Sequence, residues 1–124
     1  MRLKDRKLFF DKQKKAIEDL YLFMENLGIK KPELGISIGP GWVEPVKKCL
    51  NDLCSAGWNK NVFQIKQKFC GLRFYFDNED KELFNYIVTK AEVECGRLCE
   101  MCGEQREQKD NYFGFALCNN CGED

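Results

Sequence analysis

The chain has 124 residues, 44% of them apolar and 13% aromatic, which is enough for one core-bearing domain with a small appendage and excludes global disorder. Its 20 basic and 20 acidic residues cancel. No apolar run approaches the ~18 residues of a membrane span, and no long apolar stretch follows the charged opening Met1–Lys7 as a secretory signal would require. Histidine is absent, which removes imidazole acid–base chemistry, Cys–His and Ser–His nucleophile pairs and every zinc site that uses imidazole.

The spacing of Phe10, Ile17, Leu20, Tyr21, Met24 and Leu27 predicts a first helix over residues 6–27, capped by Gly28. Residues 29–41 carry two prolines and several glycines and read as a loop, with room for a short strand where Leu34, Ile36 and Ile38 alternate. A second helix is expected over 43–56, with Pro45 in its first turn, Val46, Cys49, Leu50 and Leu53 buried, and Gly57 as its stop. Residues 62–69 and 72–77 then alternate around Cys70-Gly71. A turn at those two residues pairs Phe69 with Leu72, Lys68 with Arg73, Gln67 with Phe74, Lys66 with Tyr75 and Ile65 with Phe76. Phe63, Ile65, Phe69, Leu72, Phe74 and Phe76 then form a buried face. Gln64, Lys66, Lys68, Arg73, Tyr75 and Asp77 form a polar one, and Gln67 is the residue out of place. A third, long helix is expected over 80–98 from Phe84, Ile87, Val88, Ala91, Cys95 and Leu98, with Asp80 and Glu82 at its positive end. The class is α+β: two N-terminal helices, a hairpin or three-stranded sheet, a long helix, and a cysteine-bearing tail. Residues 1–98 form the body and residues 99–124 the tail.

Eight cysteines without an export signal favour thiols or a metal over disulfides. Cys99-x-x-Cys102 and Cys118-x-x-Cys121, fifteen residues apart, have the spacing of a four-cysteine zinc site. Each pair forms a turn that converges two sulfurs, and Gly103 and Gly122 follow the pairs to permit a reversed backbone. The stretch Tyr112–Leu117 between them reads as a strand. With all four positions filled by cysteine the site has no place for a catalytic water, so one structural Zn2+ is expected. A 26-residue tail also has too little core to fold unaided. An iron–sulfur centre would use the same ligands. Two redox pairs would need a βαβ context that the pattern lacks. Cys49, Cys54, Cys70 and Cys95 show no paired spacing and read as buried small residues, with Cys95, four residues before Cys99, also placed to act as a spare ligand.

Charge is unevenly spread. Residues 1–31 hold nine basic against five acidic residues, net +4, and residues 32–76 six against three, net +3. Residues 77–124 hold five basic against twelve acidic, net −7. Lys66, Lys68, Arg73 and Tyr75, with Trp42, are the candidate binding surface for a nucleic acid or an acidic protein, although the plainer reading is a solvated sheet face with Trp42 over the core. Gly39-Pro40-Gly41-Trp42 lacks the lysine of a phosphate loop. Asp77, Glu79 and Asp80 cluster where a helix begins, and acidic residues are expected there without catalysis.

Gly39-Pro40-Gly41-Trp42, the run Gln64–Tyr75, Cys99-Glu100-x-Cys102-Gly103 and Leu117-Cys118-x-x-Cys121 together resemble a family of small phage and prophage proteins that read G-x-G-W, V-K-E-K-F-G-G-L-R-F-Y, C-x-x-C-G and L-C. The resemblance spans about residues 37–121 and departs at Cys70, where the family has glycine and where cysteine suits a left-handed turn poorly. It implies a phage or prophage origin and a bacterial host cytoplasm, without an activity. The expectation is a non-enzymatic, zinc-binding accessory protein that binds a host protein, with a defence component as one candidate target. The alternative is a nucleic-acid-binding zinc-ribbon module. A carboxylate enzyme would need acidic residues converging from distant positions.

Overall fold

The computed structural model describes residues 3–107, 111–112 and 114–122. Helix α1 spans Leu3–Asn26, and the short strand β1, Ile36–Ser37, leads through a 3₁₀ turn at Pro40–Trp42 into α2, Val43–Ser55. Strands β2, Val62–Lys68, and β3, Gly71–Phe76, form the hairpin, and α3 runs over Glu82–Gly96. The tail holds β4, Asn111–Tyr112, β5, Phe115–Ala116, and one helical turn, α4, Asn119–Gly122. The α+β class and the element order are as the sequence predicts. Among the described residues, no helix is long and apolar enough to cross a membrane.

The sheet order is β1-β2-β3, with β1 parallel and β3 antiparallel to β2. Leu20 and Met24 from α1, Val46, Leu50 and Leu53 from α2, Ile65, Leu72 and Phe74 from the sheet, and Phe84, Val88 and Ala91 from α3 meet in one apolar core. At about 25 cal/mol per Å² of apolar surface, this burial is the dominant favourable term for the body. The first helix departs from expectation at its start: Phe9 is buried and Phe10 is 51% exposed. Phe9 faces the tail, and its ring meets Phe115 edge-on at 5.1 Å. The helix is thus longer than its body-facing stripe, and its first turns clamp the tail. At the start of α3, Asp80 has φ +54 and lies outside the helix.

The hairpin register is two residues from the predicted one. Lys68 pairs with Gly71, Gln67 with Leu72, Lys66 with Arg73 and Ile65 with Phe74. The turn is therefore Phe69-Cys70, with φ of +54 and +62. Positive φ at both central residues belongs to the turn type whose twist matches a hairpin, and here it is met by two residues that adopt it at a cost. A slip of two keeps every side chain on its face, so the polar side is unchanged. What changes are the ends. Phe69 sits in the turn, 84% exposed, and not in the core. A bulge between Val62 and Gln64 sends Val62 inward and leaves Phe63 45% exposed.

Candidate metal centre

Helix α3 ends at Gly96, and the chain passes through Leu98 into the first cysteine turn. The Trp42 side chain fixes that passage, its Nε1–H donating to the Leu98 carbonyl at 2.8 Å. Trp42 is fully buried, so it cannot belong to a binding surface; it is a core anchor instead. Around Cys99 the backbone closes a tight turn: Gly103 N–H donates to the Cys99 carbonyl at 2.8 Å, and Cys99 N–H to the Glu104 carbonyl at 2.7 Å. Gly103 has φ +81, as expected of a residue that reverses the chain. The Glu104 N–H points at the Cys102 sulfur at 3.5 Å.

The second pair arrives differently. The expected single strand over 112–117 is instead two short strands, with Asn111 opposite Ala116 and Tyr112 opposite Phe115. The fold-back passes Gly114 at φ +86; Phe113 lies outside the described residues. Gly122 closes the helical turn α4 and does not follow a second reversed knuckle, its N–H donating to the Cys118 carbonyl at 2.9 Å. One pair thus sits on a knuckle and the other on a helical turn.

The result brings the Sγ atoms of Cys99, Cys102, Cys118 and Cys121 within 4.8 Å of one another, a group that can hold a metal ion. The Cys102 and Cys118 sulfurs are 3.7 Å apart. Cys95 is not part of it. It is buried in the body core, where burial, then Glu94, Cys49 and Glu92, holds its thiol far above the ordinary range. Without a cation the four sulfurs cannot all ionise. Burial opposes ionisation of Cys102 and Cys121, and negative charge on Cys99 adds to it. Burial opposes Cys118 as well, but hydrogen bonds from Cys121, Cys102 and Cys99 outweigh it and lower that thiol. A group where one thiolate is favoured at its neighbours' expense is relieved by a bound cation, which stabilises all four charges together.

The centre is seated on the body through glycine. Gly41 N–H donates to the Glu100 carbonyl at 2.7 Å. A Cβ on Gly41 would collide with the Cys99 carbonyl, and one on Gly39 with the Glu100 carbonyl, its Cβ following at 2.7 Å. The G-P-G-W segment is therefore a seat for the first cysteine turn, which explains its glycines without any phosphate. Glu100 N–H donates to the Ala116 carbonyl at 2.7 Å, tying the turn to β5. The Glu100 side chain is 2% exposed, and burial pushes its carboxyl up to about 7 against the lowering effects of Gln67, the Ala116 backbone and Arg106. Gln67, the polar residue out of place on the apolar side of the hairpin, donates to the Gly114 carbonyl at 2.6 Å and reaches Glu100 Oε1 at 3.4 Å. Its misfit was the sequence signal for a polar contact under the sheet; Glu100, inside its C-x-x-C, carries no such signal.

Lys66, Lys68, Arg73 and Tyr75 share the outer face of the hairpin, the face opposite Gln67 and its contacts with Gly114 and Glu100. No family model, curated protein or solved structure matches this chain.

Proposed function

We propose that the tail holds one structural zinc ion on Cys99, Cys102, Cys118 and Cys121, and that the protein is a non-enzymatic accessory protein of phage or prophage origin. It works in the bacterial host cytoplasm by binding a host protein, a defence component among the candidates, and occluding it. The observation that carries the reading is the closed sulfur set. Four cysteines satisfy a tetrahedral ion and leave no position for water or substrate, so the metal supplies folding energy and not chemistry. Four thiolates around a divalent ion leave two negative charges, and the exposed Glu104 and Glu107 lie in the same segment. An acidic surface of this kind suits a basic, nucleotide- or nucleic-acid-handling site on a host factor. The resemblance of residues 37–121 to phage and prophage proteins supports the origin.

Affinity capture from host lysate tests it, with the intact protein as bait and the Glu104→Lys/Glu107→Lys variant as control. The reading expects a partner that is reproducibly retained by the native chain and lost by the variant. Absence of any reproducible partner contradicts it.

A further inference from the structure

The outer face of the β2–β3 hairpin is used by neither the core nor the metal centre. Ile65, Leu72 and Phe74 point into the core, and the alternate positions turn the other way. There Lys66 stands directly opposite Arg73, and Gln64 opposite Tyr75. Tyr75 is 43% exposed and joins the exposed Phe63 and Phe69. The Lys66 Nζ lies 5.9 Å from the Tyr75 ring centre, and the Lys68 Nζ 5.5 Å from that of Phe69. Among the described residues none of the three cations has an ion-pair partner; Arg73 favours ionisation of Glu92 on α3 from longer range. Asp77 closes the far end, its carboxylate accepting from the Asn59 side chain and the Glu79 N–H.

This face carries three local costs. Like charges directly opposite on neighbouring strands are destabilising. Phe69 holds a left-handed conformation that a bulky residue adopts with strain. Phe69 stands largely in water, and Phe63 and Tyr75 are a little under half exposed. The Lys66–Tyr75 and Lys68–Phe69 contacts and the Glu92 carboxylate offset these costs only in part, and what the face still presents, cations beside open rings, points to a ligand from outside that is both anionic and rich in flat rings. Gln67 adds the decisive placement. It turns to the opposite side and contacts Gly114 and Glu100, so the acidic cysteine tail lies under the core side of the sheet. The sheet thus separates the tail's negative charge from the outer face, and the zero net charge of the chain does not describe what a ligand on that face meets.

We propose that this face binds single-stranded nucleic acid, with Tyr75 and Phe69 as stacking platforms and Lys66, Lys68 and Arg73 on the phosphates. A single strand offers both features that the face is built for, unpaired rings and regular negative charge. A duplex keeps its rings stacked and offers charge alone. An acidic protein segment accounts for the cations and leaves the aromatic set unused. The site is independent of the protein contact proposed above, and either can fail without the other.

Fluorescence anisotropy of labelled oligothymidine and oligouridine with the full-length, metal-loaded protein tests it, alongside a duplex of the same length and polyglutamate. Binding to single strands at micromolar protein, tighter than to the duplex, is expected. With three phosphate contacts it should weaken about 15- to 20-fold as salt rises from about 50 to about 200 mM. Tyr75→Ala and Phe69→Ala should each weaken binding at least about fivefold. Lys66→Gln should reduce the salt dependence while leaving the duplex-to-single-strand preference in place. Metal content and circular dichroism of each variant establish that the fold is kept, and Lys66→Gln serves where an aromatic variant is lost. No binding to any oligonucleotide, equal binding to duplex, aromatic variants that bind as the native chain does, or polyglutamate binding as tightly as the single strands would each overturn the proposal.

Discussion

The body buries Leu20, Met24, Trp42, Leu50, Leu53, Ile65 and Phe84 in one contiguous cluster fed by three helices and a sheet. Among the described residues, the tail's own apolar cluster is Cys99, Leu117 and Cys118 with Phe9 from the body, plus Met101, Phe115 and Cys121 at the margin, while Ala116 joins the body core. The body's order follows from apolar area removed from water. Among its described residues, the tail's regular structure is two strands of two residues and one helical turn, too little to be stable by itself. What it has instead is four converging sulfurs. The two parts should therefore respond to opposite perturbations, although backbone contacts at Gly39 and Gly41 join them.

Metal removal should divide them most sharply. Structural zinc contributes about 10–16 kcal/mol in small systems. Chelation, or Cys118→Ser, should therefore release protection of tail amides in hydrogen exchange while α2 and α3 keep theirs. The converse perturbation is Leu50→Ala, which opens a cavity in the body core and should cost about 2–5 kcal/mol in chemical denaturation, with metal stoichiometry unchanged in the folded fraction. Gly41→Ala attacks the junction. Its methyl group would meet the Cys99 carbonyl and Gly103 N, which are backbone and cannot swing aside, so a loss of about 1–3 kcal/mol is expected together with weaker metal retention.

Much of this was legible in the chain, and the failures have physical causes. The two C-x-x-C pairs announced their convergence because metal geometry fixes ligand spacing. The helices announced themselves through Leu20, Met24, Val46, Leu50, Phe84 and Val88, which fall on the buried stripes. Periodicity selects Phe10 and is silent on Phe9, because adjacent aromatics at a helix start are sorted by what packs there, and Phe115 of the tail lies more than 100 residues further along the chain. The hairpin register departs from the local pattern because Cys70-Gly71 is the better turn by propensity, while the tertiary structure places Phe69-Cys70 at positive φ. A slip of two leaves the inside–outside pattern intact, so alternation could not detect it. Trp42 reads as a surface candidate in sequence because its partner, the Leu98 carbonyl, is 56 residues away and invisible to any local pattern. The glycines of G-P-G-W looked like a loop signature; only the assembled backbone shows the cysteine turn resting on them.

Two smaller tests sharpen the contrast between thiols of the body and of the tail. Burial, with Asp52 and Glu92 adding to it, pushes the Cys49 thiol up to about 12 from its ordinary 9.0. Between those values the unfolded chain gives up a proton that the folded body keeps. Body stability should therefore fall as pH rises from about 9 to about 12, by at most about 1.4 kcal/mol per pH unit for this group, in denaturation monitored across that range. Cys95 acts in the same direction. At neutral pH, alkylation with mass readout should leave Cys49 and Cys95 unmodified in the folded chain, whereas chelated protein should lose protection at Cys99, Cys102, Cys118 and Cys121.

Whether one ion on four sulfurs orders the tail is decided by native mass spectrometry of the intact chain, purified without chelator. One zinc ion per chain is expected, released on acidification, with all eight cysteines then alkylated as free thiols. A chain that carries no metal, or one in which Cys99, Cys102, Cys118 and Cys121 are joined to one another as disulfides, would contradict it.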